Sequence, residues 1–405
     1  MKIKIKDIFY NHWTKFVQQK FHLIPQKLQK WIKKTVKKMM DCGDVGYGYA
    51  EYRCLRCTEY KRIVPFTCKS RFCMSCNNGY VVRWAEKLME KMFPVKHRHL
   101  VFTLPEELRG KIYWKREVLK DLPEIAAQTV FETIRRKNKD KEVLVGIITV
   151  IHTYGRDMKF NPHVHVLISE GGLVQNIIWH EIGYINYLTL RKKWQYLILK
   201  RIKEKLGDRV SNLINKLYEE HPKGFYVNGE RKIEDKRGII KYLGRYLCRP
   251  AIAESRIKAY DGENIEFWYE EHGTKRKIEV KMPVLQFIGR LVSHIPPKNF
   301  HLVRRYGLYQ GAKNNRVYKI IESIKSKSKK QYKFRKILWR ERLKISFGRD
   351  PLICPLCGKE LDLYSIWHPK YGYIYHLIRD APVVLVEETK PPQPKKMFEQ
   401  LKLFP

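Results

Sequence analysis

Cysteine placement constrains this chain more than any other feature. Six of its nine cysteines fall between Cys42 and Cys76, and two more form Cys354-Pro-Leu-Cys357. The segment 41–80 is too short and polar to fold by burial alone, so a metal is expected to organise it. Clustered thiols in a reducing compartment point to metal before disulfide. Within the segment, Cys54-Leu-Arg-Cys57 and Cys73-Met-Ser-Cys76 are two knuckles with fifteen residues between them. Each offers two thiolates from one tight turn, and together they supply the four sulfurs of a tetrahedral site. The expectation is one structural Zn²⁺ on Cys54, Cys57, Cys73 and Cys76, closed to catalysis. Cys42 and Cys68 could complete a second site with Cys354 and Cys357, join a shared cluster, or remain buried thiols; the last is the simplest reading. The Cys354/Cys357 knuckle needs two partners, and His368 and His376 are the nearest candidates in sequence.

The second constraint is charge. Against 41 acidic residues stand 82 Lys and Arg, a formal charge of +41 spread along the chain. Such self-repulsion calls for a polyanionic partner, and nucleic acid is the expected one. Around the knuckles Lys61, Arg62, Lys69 and Arg71 alternate with Tyr60, Phe66 and Phe72, which suits a DNA-binding platform. No apolar stretch approaches the roughly 18–20 residues of a spanning helix. The N-terminus lacks a secretory apolar core, so a cytoplasmic, nucleoid-associated protein is expected and no membrane partner.

A chain of 405 residues predicts two or three domains. Phe9, Trp13, Phe16 and Val17, then Leu28, Trp31, Ile32, Val36 and Met39, recur at helical spacing and predict two packed helices over 1–40. Another helix is expected around Trp84, Leu88 and Met92. The β-branched runs His99–Leu104, Val143–Ile151 and His163–Ser169 read as strands, Asn264–Pro283 as a hairpin, and Leu190 to Ile202 as a long amphipathic helix. Gly171 and Gly172 after the strand either allow close backbone approach or form a turn, and the turn is the simpler reading. The fold class is α+β, an antiparallel sheet with flanking helices. The domains expected are 1–93, helical and zinc-binding with DNA contacts; 94–312, the sheet domain; 313–380, basic with the second knuckle; and 381–405, a disordered tail.

Two His-x-His pairs occur. His97-Arg-His99 suits a strand end. His163-Val-His165 would put both imidazoles on one face and Val164 and Val166 on the other, toward a core. The second pair is either two adjacent metal ligands or an accident of sequence. Tyr242 and Tyr246 lie four residues apart on a predicted helix from Gly238 to Cys248. They are either a packing stripe or a pair of nucleophiles able to form phosphoester links to DNA. On the same helix, Arg245 and Arg249 could clamp a phosphate backbone.

Taken in order, CKSRFCMSC, HLVFTLP, HTYGRDMKFNPHVHVLISEGGL, YLGRYLCRPAIAESRI and HIPPKNFHLVRRYGLY followed by CPLCGK resemble the insertion-sequence ninety-one type of rolling-circle transposase. These transposases belong to the HUH (His-hydrophobic-His) endonuclease superfamily. The resemblance runs from about residue 40 to about 360. It implies an HUH-type sheet and metal-dependent cleavage of single-stranded DNA at element ends. A 5′-phosphotyrosine and a free 3′-hydroxyl would result, followed by strand transfer.

On this reading a Mg²⁺ or Mn²⁺ ion is held by His163, His165 and a third group, and Tyr242 and Tyr246 take turns as nucleophile. His152 is the first choice for the third ligand, since a hairpin over 153–162 would bring it opposite His163; Asp157 is the alternative. The chain carries Asn161 where the family often has histidine. His294, Arg304, Arg305 and Tyr306 lie in the segment similar to the last part of the catalytic region, with no role assigned. The competing readings are a zinc-stabilised DNA-binding protein without catalysis, and a plasmid replication initiator or relaxase with the same chemistry.

Overall fold

A computed structural model describes residues 3–77, 88, 92–93, 95–137, 142–175, 178–229, 250–271, 273–274, 276–310, 319, 323, 340–341, 344 and 350–380. Contacts divide the chain into two units, residues 1–42 with 67–337, and residues 43–66 with 338–405. This division cuts across the chain-order boundaries at 93 and 312.

The smaller unit is a four-stranded antiparallel sheet. It joins β1 (Tyr49–Arg53) and β2 (Lys61–Pro65) to two strands from near the other chain end, Asp362–His368 and Gly372–His376. Its described apolar core is slight: one cluster of three buried residues, two of them cysteines.

The larger unit is built on a six-stranded antiparallel sheet. Its strands are β3 (His97–Thr103), β4 (Val143–Tyr154), β5 (Phe160–Val174), β6 (Ile178–Glu181), β7 (Val227–Gly229) and the strand Val303–Gly307. β4 and β5 form its spine, with Ile147 opposite Ile168 and His152 opposite His163. Residues directly opposed in an antiparallel pair share a face, so this register decides which side chains meet. Val164, Val166 and Ile168 of β5 enter one buried cluster with Leu100, Phe102, Ile147 and Ile151. Two helices, Leu122–Lys137 and Tyr187–Leu206, cover that face through Ile125, Val130, Trp194 and Ile198. The longer helix starts where Asn186 accepts the Thr189 backbone N–H and stops at Gly207, whose φ is +70°. Its Trp194 indole N–H donates to the Thr103 carbonyl at 2.8 Å, tying helix to sheet.

The two N-terminal helices are Ile5–Gln19 and Gln26–Met40, as periodicity predicts. Their apolar stripes, including Phe9, Phe16, Ile32 and Val36, pack with Phe267 of the Asn264–Glu270/Lys277–Pro283 hairpin and with Phe287 and Leu291 of the helix Val284–Ser293. Each fully buried large apolar side chain contributes about 1.5–3 kcal/mol, which the solvated lysines on the outer faces do not oppose.

Gly171 and Gly172 are not a turn. They sit inside β5, paired with Glu181 and His180 of β6. A Cβ at Gly172 would strike the Leu144 carbonyl and one at Gly171 the Trp179 indole, so glycine here permits close approach within the sheet.

Candidate functional site

The face of β5 turned away from the helices carries His163 and His165. The pairing of β4 with β5 sets His152 opposite His163 and Val150 opposite His165. Ring centroids lie 4.6 Å apart for His152 and His165, 4.8 Å for His163 and His165, and 5.4 Å for His152 and His163. One ligating nitrogen from each of the three imidazoles falls within 4.8 Å of the other two.

Local hydrogen bonding prepares at least one of them. His163 Nδ1 lies 2.8 Å from the Asn161 carbonyl oxygen. A carbonyl only accepts, so Nδ1 carries the proton and Nε2 keeps its lone pair. Burial holds the pKa of His163 below the ordinary imidazole value. It holds that of His165 well below, helped by the neighbouring imidazoles of His152, His163 and His99. Both rings are therefore neutral near pH 7, the form that ligates metal. Asp157 lies in none of the metal-capable groups among the described residues. Its Oδ1 accepts the Lys159 backbone N–H at 3.0 Å within the turn before β5.

The pair His97-Arg-His99 is as built as the pair on β5, which sequence reasoning missed. Both of its histidines are fully buried. His99 Nε2 stands 3.0 Å from His165 Nδ1, and His97 Nε2 stands 2.6 Å from the Tyr309 hydroxyl. Between them Arg98 reaches the other face and pairs with Glu170 through Nε at 2.6 Å and Nη2 at 2.8 Å. Strand alternation was the available signal, since His-Arg-His at the head of an apolar run buries both imidazoles if the arginine finds a carboxylate.

Two cations act on nearby imidazoles, Arg109 on His163 and Arg116 on His294. The positive charge of Arg109 contributes to lowering the His163 pKa. Arg116 is buried, its guanidinium 4.4 Å above the Phe160 ring and 4.6 Å above the Tyr113 ring. Burial brings its pKa down to about 10. His294, close by, stacks near Phe160 and has its pKa lowered to about 4 by burial.

The cysteines form two tetrads rather than one. Cys73 and Cys76 meet Cys42 and Cys68, while Cys54 and Cys57 meet Cys354 and Cys357. The single site expected from the two N-terminal knuckles is thus replaced by two, because each knuckle turns toward a different pair. In the first tetrad Cys76 Sγ lies 3.5 Å from Cys42 Sγ and 3.6 Å from Cys68 Sγ. Backbone N–H groups of Cys68 and Ser70 point at the Cys42 and Cys68 sulfurs, as thiolates require. Phe72 packs edge-on to Phe9 at 5.7 Å, anchoring this tetrad on the first helix. In the second, the Cys57 backbone N–H helps lower the Cys54 thiol to about 6. His368 and His376 belong to neither group: His368 Nδ1 accepts the Lys370 backbone N–H, and His376 packs on Tyr364.

Lys69 is exposed beside Cys68 in a left-handed conformation, φ 51°, and Arg71 is partly exposed in the same turn. Tyr242, Arg245, Tyr246 and Arg249, with the predicted helix from Gly238 to Cys248, lie outside the described residues, as does the tail 381–405.

Comparison with known proteins agrees with these features. Residues 8–104 match the family described as a transposase zinc-binding domain, and residues 146–316, which include His152, His163 and His165, match one described as a putative transposase. The transposase of insertion sequence element IS801 from Pseudomonas savastanoi pv. phaseolicola is 28% identical over 350 residues, 81% of this chain and 82% of that one. The chain belongs to the IS91 family of transposases. A putative transposase, y4qJ, from Sinorhizobium fredii is 24% identical to this transposase over 285 residues, 66% of this chain and 71% of that one. No solved structure matches it. As a transposase it is a DNA-processing enzyme, and the tetrad Cys42, Cys68, Cys73 and Cys76 fits the zinc-binding that the N-terminal family description names. Among the described residues no helix is long and apolar enough to cross a membrane.

Proposed function

We propose that this transposase cuts single-stranded DNA at the ends of its element by HUH-type chemistry and transfers the strand through a 5′-phosphotyrosine, the rolling-circle route. The observation that carries the reading is the meeting of His152, His163 and His165 from two paired strands, with the His163 tautomer fixed by the Asn161 carbonyl. An all-nitrogen donor set of neutral imidazoles fits a divalent transition ion, and Mn²⁺ better than Mg²⁺. His152, His163 and His165 would hold this cation, which would supply Lewis-acid polarisation of the scissile phosphate.

The chain's own groups do the rest. A phenolate oxygen of Tyr246 or Tyr242 attacks phosphorus, the bond from phosphorus to the 3′ oxygen breaks, and that oxygen leaves with a proton as the 3′-hydroxyl. The 5′ end stays esterified to tyrosine while the second phenol serves the second cleavage. Arg245 and Arg249 neutralise backbone phosphates beside the nucleophiles. His99, 3.0 Å from His165, orients that ring from behind.

In chain order, residues 1–93 serve end recognition with Lys69 and Arg71 on the zinc-organised platform. Residues 94–312 cut, and 313–380 add basic surface. The protein works in the cytoplasm on nucleoid DNA. The match to a transposase zinc-binding domain favours this reading over a replication initiator or relaxase.

The test is incubation of a labelled single-stranded element end with the protein and Mn²⁺. The expected product is a cut strand whose 3′-hydroxyl a polymerase can extend. Intact strands, or a product with a blocked 3′ end, overturn the proposal.

A further inference from the structure

We propose that the chain holds a second structural zinc, on Cys54, Cys57, Cys354 and Cys357, which closes the smaller unit by joining segments some 300 residues apart. Cys354 and Cys357 lie beyond both stretches that match known families, 8–104 and 146–316.

The geometry is that of a closed tetrahedral site. Cys54 Sγ lies 3.4 Å from Cys357 Sγ, and Cys57 Sγ lies 3.7 Å from Cys354 Sγ. A tetrahedron with zinc–sulfur bonds of about 2.3 Å has edges of roughly 3.8 Å, whereas a disulfide needs about 2.05 Å. All four thiols are free.

The two knuckles are also built alike. In each, the residue after the second cysteine takes a left-handed conformation, Thr58 at φ 59° and Gly358 at φ 70°. Its backbone N–H donates to the carbonyl of the first cysteine at 3.0 Å in both knuckles. Each first cysteine in turn donates its own N–H across the turn, Cys54 to Tyr60 and Cys354 to Lys359. Thr58 adopts a conformation that non-glycine residues rarely take, and two such turns facing each other are what presents four sulfurs to one point.

Energetics demand something at that point. Among the described residues, the apolar cluster of this unit consists of Cys54, Cys354 and Leu361, with partly buried neighbours. A four-stranded sheet with so little buried surface is not self-sufficient, and joining its distant strands costs loop-closure entropy that a metal can offset. The proposal does not rest on the cleavage chemistry and stands if that chemistry fails.

Zinc content of the purified full-length protein, read by native mass spectrometry, tests it. The expected value is two zinc ions per chain. Cys354→Ser/Cys357→Ser should lose one, and adding Cys54→Ser/Cys57→Ser should remove no more. Cys73→Ser/Cys76→Ser should lose the other. One zinc in the parent chain, or two retained in Cys354→Ser/Cys357→Ser, overturns the proposal. A variant-free check is alkylation of the parent protein during chelator titration. Cys54, Cys57, Cys354 and Cys357 should become reactive together. Reactivity of Cys354 and Cys357 before any chelator is added, or exposure of Cys54 and Cys57 in step with Cys73 and Cys76 alone, contradicts it.

Discussion

His152 and His163 stand directly opposite each other on adjacent antiparallel strands, with ring centroids 5.4 Å apart. Because opposed residues share a face, the register of two strands alone brings a third imidazole to the His163/His165 pair. Substituting alanine for His163 or His165 should lower single-strand cleavage by at least about 100-fold, since losing a ligand costs no less than losing an outer partner. His152→Ala should do the same and Asp157→Ala should not. Gel-based cleavage with Mn²⁺, alongside circular dichroism to confirm folding, checks this; an active His152→Ala would remove that residue from the site.

His99 contacts His165 from the neighbouring strand. His99→Ala should raise the Mn²⁺ concentration giving half-maximal cleavage by about 10–100-fold. The rate at saturating metal should fall much less, a split that a general loss of stability would not produce. Metal titrations of cleavage rate distinguish the two.

The Arg98–Glu170 pair is two-pronged, with both residues buried. Glu170→Ala leaves a buried guanidinium without its carboxylate and should destabilise the larger unit by about 3–5 kcal/mol. Replacing both residues with apolar ones should cost less than the single change. Chemical denaturation of the three proteins measures this, and equal losses would contradict it.

With a net charge of +41, DNA binding should weaken steeply with salt. If six to ten phosphates are contacted, affinity should drop about 10³–10⁵-fold between 50 and 200 mM salt. Fluorescence anisotropy with a single-stranded oligonucleotide checks the slope, and a flat profile would argue against a broad phosphate interface.

Much of the fold was legible because periodicity reports local geometry. The alternation of His163, Val164, His165 and Val166 gave the two faces of β5, and the stripe Leu190 to Ile202 gave the long helix. What was hidden depends on partners distant in sequence. The edge strand Val303–Gly307 pairs with β4 across some 150 residues, and nothing local marks it as a strand. His97 and His99 do begin β3, as their spacing suggests, but their burial was hidden because the carboxylate that lets Arg98 be buried, Glu170, lies on another strand. The cysteine pairing failed for the same reason: spacing identifies a knuckle but not which knuckle it faces, and proximity in sequence favoured the wrong partner.

The central claim is that a tyrosine of this chain becomes joined to DNA in a reaction needing the three-histidine site. Its most direct measurement is peptide mapping of the covalent adduct formed with a single-stranded element end and Mn²⁺, after denaturation and nuclease digestion. The account predicts a phosphotyrosine-linked nucleotide on Tyr242 or Tyr246, absent with chelator and in His163→Ala/His165→Ala. An adduct on any other residue, or one that forms equally well without the histidines, would contradict it.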